Sequence, residues 1–270
     1  DLSARAQVQG SDEVSQLAHA FNGMAEHIQR LIDSQREMTR AVSHELRTPV
    51  ARLRFGMEML ADTDDIEQRH EQLQQLDQDV EQLNQLIDEI LTYAKLEQGT
   101  PSLKFETFEL AGLLERVRQE TQALNTGLAI DVDPTGLDVR VEAENRYLHR
   151  VVQNLAGNAV RYAKSRVLLS GGIEGNWAWV CVEDDGPGIP EKDRARIFEP
   201  FARLDDSRTR SSGGYGLGLS IVQRIAFWHG GSVQVSQSSS LKGARFMFRW
   251  PVRQALRNAR PVIRKGRAGR

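Results

Sequence analysis

The sequence predicts a multidomain chain of α and α+β class. An antiparallel helical hairpin, paired with a second copy into a four-helix bundle, is followed by a two-layer α/β sandwich. Three observations carry this reading. Apolar residues recur at alternating spacings of three and four through roughly the first third of the chain, the signature of amphipathic helices. The stretch Gln98-Gly99-Thr100-Pro101 then stops the helical pattern. Beyond it, helical segments alternate with short hydrophobic runs of strand type. At 270 residues and 30.4 kDa the chain is too long for one small domain.

Composition narrows the function classes. No run of about 18 apolar residues occurs, so no membrane span is expected. The opening Asp1-Leu2-Ser3-Ala4-Arg5 lacks the basic-then-apolar pattern of a signal peptide. One cysteine, Cys181, excludes an intrachain disulfide framework; within Trp179-Val180-Cys181-Val182 it reads as a small buried hydrophobe. The net charge of −2 hides an asymmetry: the basic tail 253–270 holds seven cations and no acid, leaving the rest at −9. An acidic body argues against nucleic-acid binding, and the tail reads as a solvated, disordered end.

Each element follows in order. Residues 1–35 start irregularly, after which Val14, Leu17, Phe21, Met24, Ile28 and Leu31 form a heptad seam with Ser11 or Asp12 as N-cap. A short helix of this kind reads as a fragment of something larger. Over 36–61 a second stripe runs through Met38, Val42, Leu46, Leu53, Met57 and Leu60, with Pro49 expected to bend it. Ala61 to Asp65 reads as a turn. Leu73, Leu76, Val80, Leu83, Ile87, Ile90 and Ala94 then form the second hairpin helix, the hairpin spanning 36–99. A lone hairpin leaves each stripe too exposed, so a dimer is expected, with a monomeric hairpin packed on the next domain as the alternative. The second domain runs over 103–252: helix 109–124, strand-type runs at 127–132 and 137–142, and helix 144–163. Strands at 165–173 and 177–184 come next, then a glycine-rich stretch, a helix at 217–229, and strands at 232–237 and 244–250.

Four constellations carry chemistry. His44 lies two residues from both Val42 and Leu46, so it points away from the seam. Alone it would be a solvated histidine. With Glu45 beside it, Thr48 one turn on and Pro49 beyond, it is an exposed, oriented imidazole suited to attack a mobile phosphoryl donor. Asn154 and Asn158 share a helix face, with Arg161 and Tyr162 in the next turn. Amide oxygens suit Mg²⁺, a guanidinium suits phosphate, and a phenol ring stacks on a base. Such asparagines also occur as plain surface residues. Asp184 leaves a hydrophobic strand into Gly186-Pro187-Gly188-Ile189, where a carboxylate can accept from an exocyclic amine; an ordinary tight turn is the alternative. Finally, Gly213, Gly214, Gly216 and Gly218 precede a helix N-terminus, a loop whose amides can cradle phosphate, with Arg203, Arg208 and Arg210 before it. Its spacing fits neither a Walker A loop nor a dinucleotide fingerprint, and a solvated loop remains the bland alternative. Zinc spacing and Gly-x-Ser-x-Gly are both absent.

In this order the four constellations resemble the sensor histidine kinases of two-component systems. Ser43-His44-Glu45-Leu46-Arg47-Thr48-Pro49 resembles the H box, Asn154 to Tyr162 the N box, Asp184 to Gly188 the G1 box, and Gly214 to Leu219 the G2 box. Ile197-Phe198-Glu199-Pro200-Phe201 is similar to the F box, and residues 1–35 resemble the second half of a HAMP linker. The run from Arg203 to Arg210 is most similar to RstB-like members of the EnvZ/CpxA group. The resemblance implies a Bergerat-type ATPase sandwich behind a dimeric hairpin. It implies His44 as phosphoacceptor, Glu45 as the acid assisting transfer, and Thr48 as the residue that positions water for dephosphorylating a partner regulator. It further implies Asn158, with Asn154, as Mg²⁺ ligands, Arg161 on phosphate, Tyr162 at the base and Asp184 on the adenine amine. The rest of the implied ATP site is Gly186, Gly188, Ile189, Phe198, Arg208, Arg210, Gly214, Gly216, Leu217, Gly218 and Leu219.

The partners implied are a second copy of the chain, the receiver domain of a response regulator, and ATP, with no nucleic acid. The implied location is the cytoplasmic portion of a bacterial inner-membrane protein, this part soluble and tied to the membrane only through segments N-terminal to it. Tyr215 stands where the family often has a small residue, and the arginine-rich tail has no family role. A nucleotide-gated scaffold that transfers nothing, or a gyrase-, Hsp90- or MutL-like ATPase, are the competing readings; the His-bearing hairpin disfavours the latter.

Overall fold

One helix, α1 (Glu13–Asp62), carries both apolar stripes expected over 1–35 and 36–61, so no helix break marks the anticipated boundary at 35 and 36. The computed structural model describes residues 6, 13–62, 65–98, 103–125, 127–204 and 214–254; the expected N-cap at Ser11 or Asp12 and the basic tail beyond 254 lie outside them. Pro49 does not end α1, because a proline inside a helix deletes one N–H donor while flanking turns keep theirs. Helix α2 (Ile66–Gln98) starts at a side-chain cap, with Asp65 Oδ1 accepting the backbone N–H of Glu67 at 2.8 Å and of Gln68 at 3.4 Å. It ends where Gly99 was expected to stop it.

The described residues divide into two compact units, 1–90 and 91–270, and the division falls inside α2. In the first unit α1 and α2 approach closely at Gly56, where a Cβ would sit 2.8 Å from Leu76 Cδ2. An ion pair crosses the hairpin, Arg52 Nη2 to Asp79 Oδ1 at 3.2 Å, and the same Arg52 nitrogen donates to Gln82 Oε1 at 3.1 Å. Leu86 is fully buried, yet Val50, Phe55, Met57, Met59, Leu73, Val80 and Ile87 remain exposed.

The second unit holds β1 (Glu106–Glu109), α3 (Leu110–Leu124), β2 (Ala129–Val132), β3 (Arg140–Ala143), α4 (Asn145–Tyr162), β4 (Arg166–Glu174) and β5 (Trp177–Asp184). Short 3₁₀ turns at Glu191–Asp193 and Arg196–Phe198 follow, then α5 (Gly218–Trp228), β6 (Ser232–Gln237) and β7 (Ala244–Pro251). Strands β2, β4, β5, β7 and β6 lie side by side in that order. The β2–β4 pair is parallel and the others are antiparallel. Strand β1 was not expected from the sequence; it pairs with β3 in a separate two-stranded ladder. Register sets Leu169, Val182 and Phe246 across from one another, and they are buried with Val180, Phe248 and Trp250. The matching helix surface on α4 is Leu148, Val151, Val152, Leu155, Ala156 and Ala159, an i, i+3, i+4 stripe. A two-layer sandwich results, with helices packed on the sheet.

Candidate functional site

His44 stands on the solvent side of α1, its side chain 70% exposed. Its Nδ1 lies 3.0 Å from Glu45 Oε1, which is itself largely covered at 27%. A carboxylate only accepts, so Nδ1 carries the proton in this pair, and in the neutral ring Nε2 is the nitrogen left free. Thr48 is half-buried on the following turn. Nearest to His44 on its N-terminal side, Ser43 and Thr39 donate their hydroxyls to the carbonyls of Thr39 and Gln35, at 2.8 and 2.9 Å.

The second unit gathers the other expected residues around the end of β5, the C-terminal half of α4 and the start of α5. Three consecutive acids at the end of β5 do three different things. Glu183 accepts from Ser238 Oγ at 2.9 Å. Asp184 is buried at 2%, its Oδ1 accepting the N–H groups of Gly186 at 2.9 Å and Ala244 at 3.0 Å. Among the described residues its Oδ2 makes no hydrogen bond. Burial pushes the Asp184 carboxyl up from the usual carboxylate range, opposed by those two backbone bonds. An unsatisfied acceptor oxygen on a buried acid is suited to a ligand N–H donor. Asp185 accepts from Lys164 N at 2.7 Å and from Ser165 N and Oγ, joining the end of α4 to β4. Burial opposes its charge, yet hydrogen bonds from Ser165, Arg166 and Lys164 hold its carboxyl far below the usual range.

The turn after β5 demands glycine. A Cβ at Gly186 would collide with the Tyr162 carbonyl, so the turn lies directly on the end of α4, and Gly188 has φ +73°. Arg194 Nε donates to the Ile189 carbonyl at 3.3 Å and fixes the far side. Tyr162 keeps 41% of its surface exposed, Arg161 is exposed, and Asn158 is half-buried. Asn154 faces α5 and donates its Nδ2 to the Gly218 carbonyl at 3.2 Å. At the loop base the Phe201 N–H donates to the Gly216 carbonyl at 2.9 Å, Phe201 and Gly216 both having positive φ. The Arg161 guanidinium lies against Gly214. Phe198 and Leu217 are buried, and Gly218 and Leu219 open α5. Arg208 and Arg210 lie outside the described residues.

Among the described residues no group of three or more His, Cys, Asp or Glu is arranged to hold a metal by itself. The amide oxygens of Asn158 and Asn154 do fit a divalent ion that draws most of its ligands from a bound polyphosphate.

Two anchoring clusters had no signal in the sequence. The Glu144 carboxylate, 3% exposed, accepts from Lys104 N at 2.7 Å and Arg146 Nε at 2.9 Å, while the Glu144 N–H donates to His229 Nε2 at 3.3 Å. His229 donates Nδ1–H to the Ile225 carbonyl at 2.9 Å, and burial pushes its pKa down. The last turn of α2 is bonded to α5: Trp228 Nε1 donates to the Leu96 carbonyl at 2.9 Å, Arg224 Nε to the same carbonyl at 3.0 Å, and Arg224 pairs with the Glu97 carboxylate. That attachment explains why the compact units divide inside α2 and not at its end.

Comparison with known proteins agrees with this geometry. Residues 1–30 match the HAMP domain model, 34–99 the His Kinase A (phospho-acceptor) domain, and 143–254 the histidine kinase-, DNA gyrase B- and HSP90-like ATPase. The chain is 40% identical over 251 residues to sensor protein RstB of Escherichia coli strain K12, covering 93% of this chain and 57% of RstB. It thus spans little more than half the length of the curated relatives it matches. Among solved structures, the histidine kinase ThkA in complex with the response regulator protein TrrA is 27% identical with a TM-score of 0.67, covering 90% of this chain and 69% of that one. Full-length ShkA in complex with AMPPNP is 31% identical with a TM-score of 0.58, covering 81% of this chain and 46% of that one.

Proposed function

The chain belongs to the sensor histidine kinases of two-component systems, and on that premise we propose that it is a dimeric protein-histidine kinase. It uses Mg·ATP to phosphorylate His44 and passes the phosphoryl group to an aspartate of a response regulator. One observation carries the reading: an exposed imidazole with Nδ1 3.0 Å from the Glu45 carboxylate, a contact that leaves Nε2 as the nucleophile of the neutral ring.

In the phosphorylation step the Nε2 lone pair forms the N–P bond as the bridging P–O bond to the γ-phosphorus breaks, and its electron pair leaves on ADP. The ring's positive charge is relieved as the Nδ1 proton moves towards Glu45. In the second unit the free Oδ2 of Asp184 receives the adenine amine, and Tyr162 faces the base. Arg161 and the amides from Gly214 to Leu219 meet the phosphates, while the Gly186-to-Ile189 turn and Phe198 bound the pocket; Arg208 and Arg210 are assigned to the same phosphates by their charge. Asn158, with Asn154, would hold a Mg²⁺ ion, which would offset the charge on the phosphate oxygens. ThkA was solved with a response regulator and ShkA with AMPPNP, which supports a regulator and ATP as partners here. Thr48, one turn beyond His44, positions water for dephosphorylating the regulator. The chain acts as the cytoplasmic portion of a membrane sensor; among the described residues no helix is long and apolar enough to cross a membrane.

The test is incubation with Mg²⁺ and γ-labelled ATP beside His44→Gln. Label that survives base, is lost in acid and is absent from the variant is the expected result, and equal labelling of both chains overturns the assignment. With a labelled receiver domain added, Thr48→Ala is expected to keep autophosphorylation and lose dephosphorylation; equal loss of both removes the role given to Thr48.

A further inference from the structure

The strip of α1 on the N-terminal side of His44 is an open groove of about 560 Å³ whose charged lining is Arg36, Arg40 and Arg47 beside His44. Relative to His44 these arginines stand at i−8, i−4 and i+3, so all three share its helix face. They are not equivalent. Arg36 is engaged by Asp33, 3.6 Å away. Arg40 and Arg47 make no ion pair or hydrogen bond among the described residues, and Glu37, at i−3 from Arg40, does not pair with it. The hydroxyls of Thr39 and Ser43 are turned back onto the helix carbonyls, so the groove's free charged donors are guanidinium groups, with the Gln35 amide at its N-terminal end.

Side-chain direction sets the two free arginines on either side of the His44 ring. On a helix each side chain leans towards the N-terminus and covers the turn before its own Cα. By that tendency the His44 ring, and anything bonded to Nε2, leans over the turn from which Arg40 springs, and Arg40 itself leans on along the groove towards Arg36. Arg47 approaches from behind, over the turn of His44. Glu45 occupies the other flank, at Nδ1.

Resting on the reading that His44 carries a phosphoryl group, we infer that Arg40 is a phosphoryl-binding residue, its guanidinium fork holding the oxygens of the group on Nε2 with Arg47 opposite. A planar fork matches two phosphoryl oxygens, and a free, exposed guanidinium reaches them without breaking an existing pair. The dianion so held is kept oriented for whatever phosphoryl acceptor approaches the groove.

The experiment loads the full chain with phosphoramidate, a small-molecule donor that needs no ATP site. It then follows the phosphohistidine ³¹P signal against pH, the signal being identified by difference from His44→Gln. A cation roughly 6 Å from the phosphoryl group in water lowers its second ionisation by about half a pH unit. Arg40→Gln is expected to raise the midpoint by that amount, Arg40→Lys to restore most of the shift, and Arg36→Gln to change it less. Added salt at about 1 M should remove the difference between wild type and Arg40→Gln. An unchanged midpoint in Arg40→Gln, with helicity retained by circular dichroism, overturns the proposal. Failure of ATP to label His44 while the phosphoramidate-loaded chain shows the Arg40 shift would remove the kinase reading and leave the phosphoryl-binding one.

Discussion

Phe248 on β7 is fully covered within the second unit, and so are Phe246, Trp250 and the apolar stripe of α4. On the hairpin Phe55 is 61% exposed, and Met57, Leu73 and Val80 are exposed with it. Both regions are built from regular amphipathic elements, yet the sheet-and-helix unit closes a core within one chain and the hairpin leaves many of its large apolar residues uncovered. Two helices have only one contact surface between them, whereas three helices laid on a five-stranded sheet enclose a volume. The apolar residues the hairpin leaves uncovered are the surface that the proposed second copy would cover.

Truncations separate the two regions most strongly. Phe248→Ala should cost the second unit about 3–5 kcal/mol, the usual toll of a buried phenyl ring, independent of protein concentration. Phe55→Ala should leave that transition unmoved and weaken only a transition whose midpoint depends on concentration. Urea unfolding at widely different concentrations checks both; a hairpin transition that ignores dilution would break the comparison.

A smaller effect sharpens the account of the hairpin. Asp79 is 5% exposed and Arg52 40%, and their ion pair at 3.2 Å lies inside the hairpin. Removing the arginine strands a buried carboxylate, whereas removing the aspartate leaves a guanidinium that reaches water. Arg52→Ala should therefore destabilise the hairpin more than Asp79→Ala, both on the order of 1–3 kcal/mol. Equal losses, read by the same unfolding transition, would mean the asymmetric burial has no energetic consequence.

Much of this architecture is written locally. The order of α3 through β7 follows from a switch between spacings of three to four and of two, and the motif residues stand at fixed offsets from element ends, so Asp184, Asn158 and the glycines were readable in place. What was missed is non-local. Strand β1, Glu-Thr-Phe-Glu, has a single apolar residue and exists because β3 accepts it, with Glu106 opposite Ala143. The contact of Glu144 with His229 joins residues 85 apart. Asn154 looked like a metal ligand and is also the anchor of α5. The continuity of α1 was obscured by polar residues between two stripes that separately read as two helices. Arg40 carried no signal at all, since a single arginine on a helix gains meaning only from its own lack of a partner beside engaged neighbours.

The gentlest probe uses a residue already present. Cys181 is 1% exposed on β5, and burial pushes its thiol up to about 12, with the Arg245 charge opposing. A raised folded-state value means that the thiol's contribution to stability is whole below its unfolded value near 9 and is lost as pH rises from there through about 12. At neutral pH a thiol reagent should therefore react only through opening of the second unit, far more slowly than with a free thiol. Mg·ATP should slow the reaction further, by the factor one plus its concentration over its Kd, because a ligand of the closed form draws the opening equilibrium back. The hairpin has no thiol, so this readout belongs to the nucleotide-binding unit alone. Labelling at the free-thiol rate would contradict the closed core; slow labelling that ignores Mg·ATP would leave the core intact and remove the nucleotide site built around Asp184.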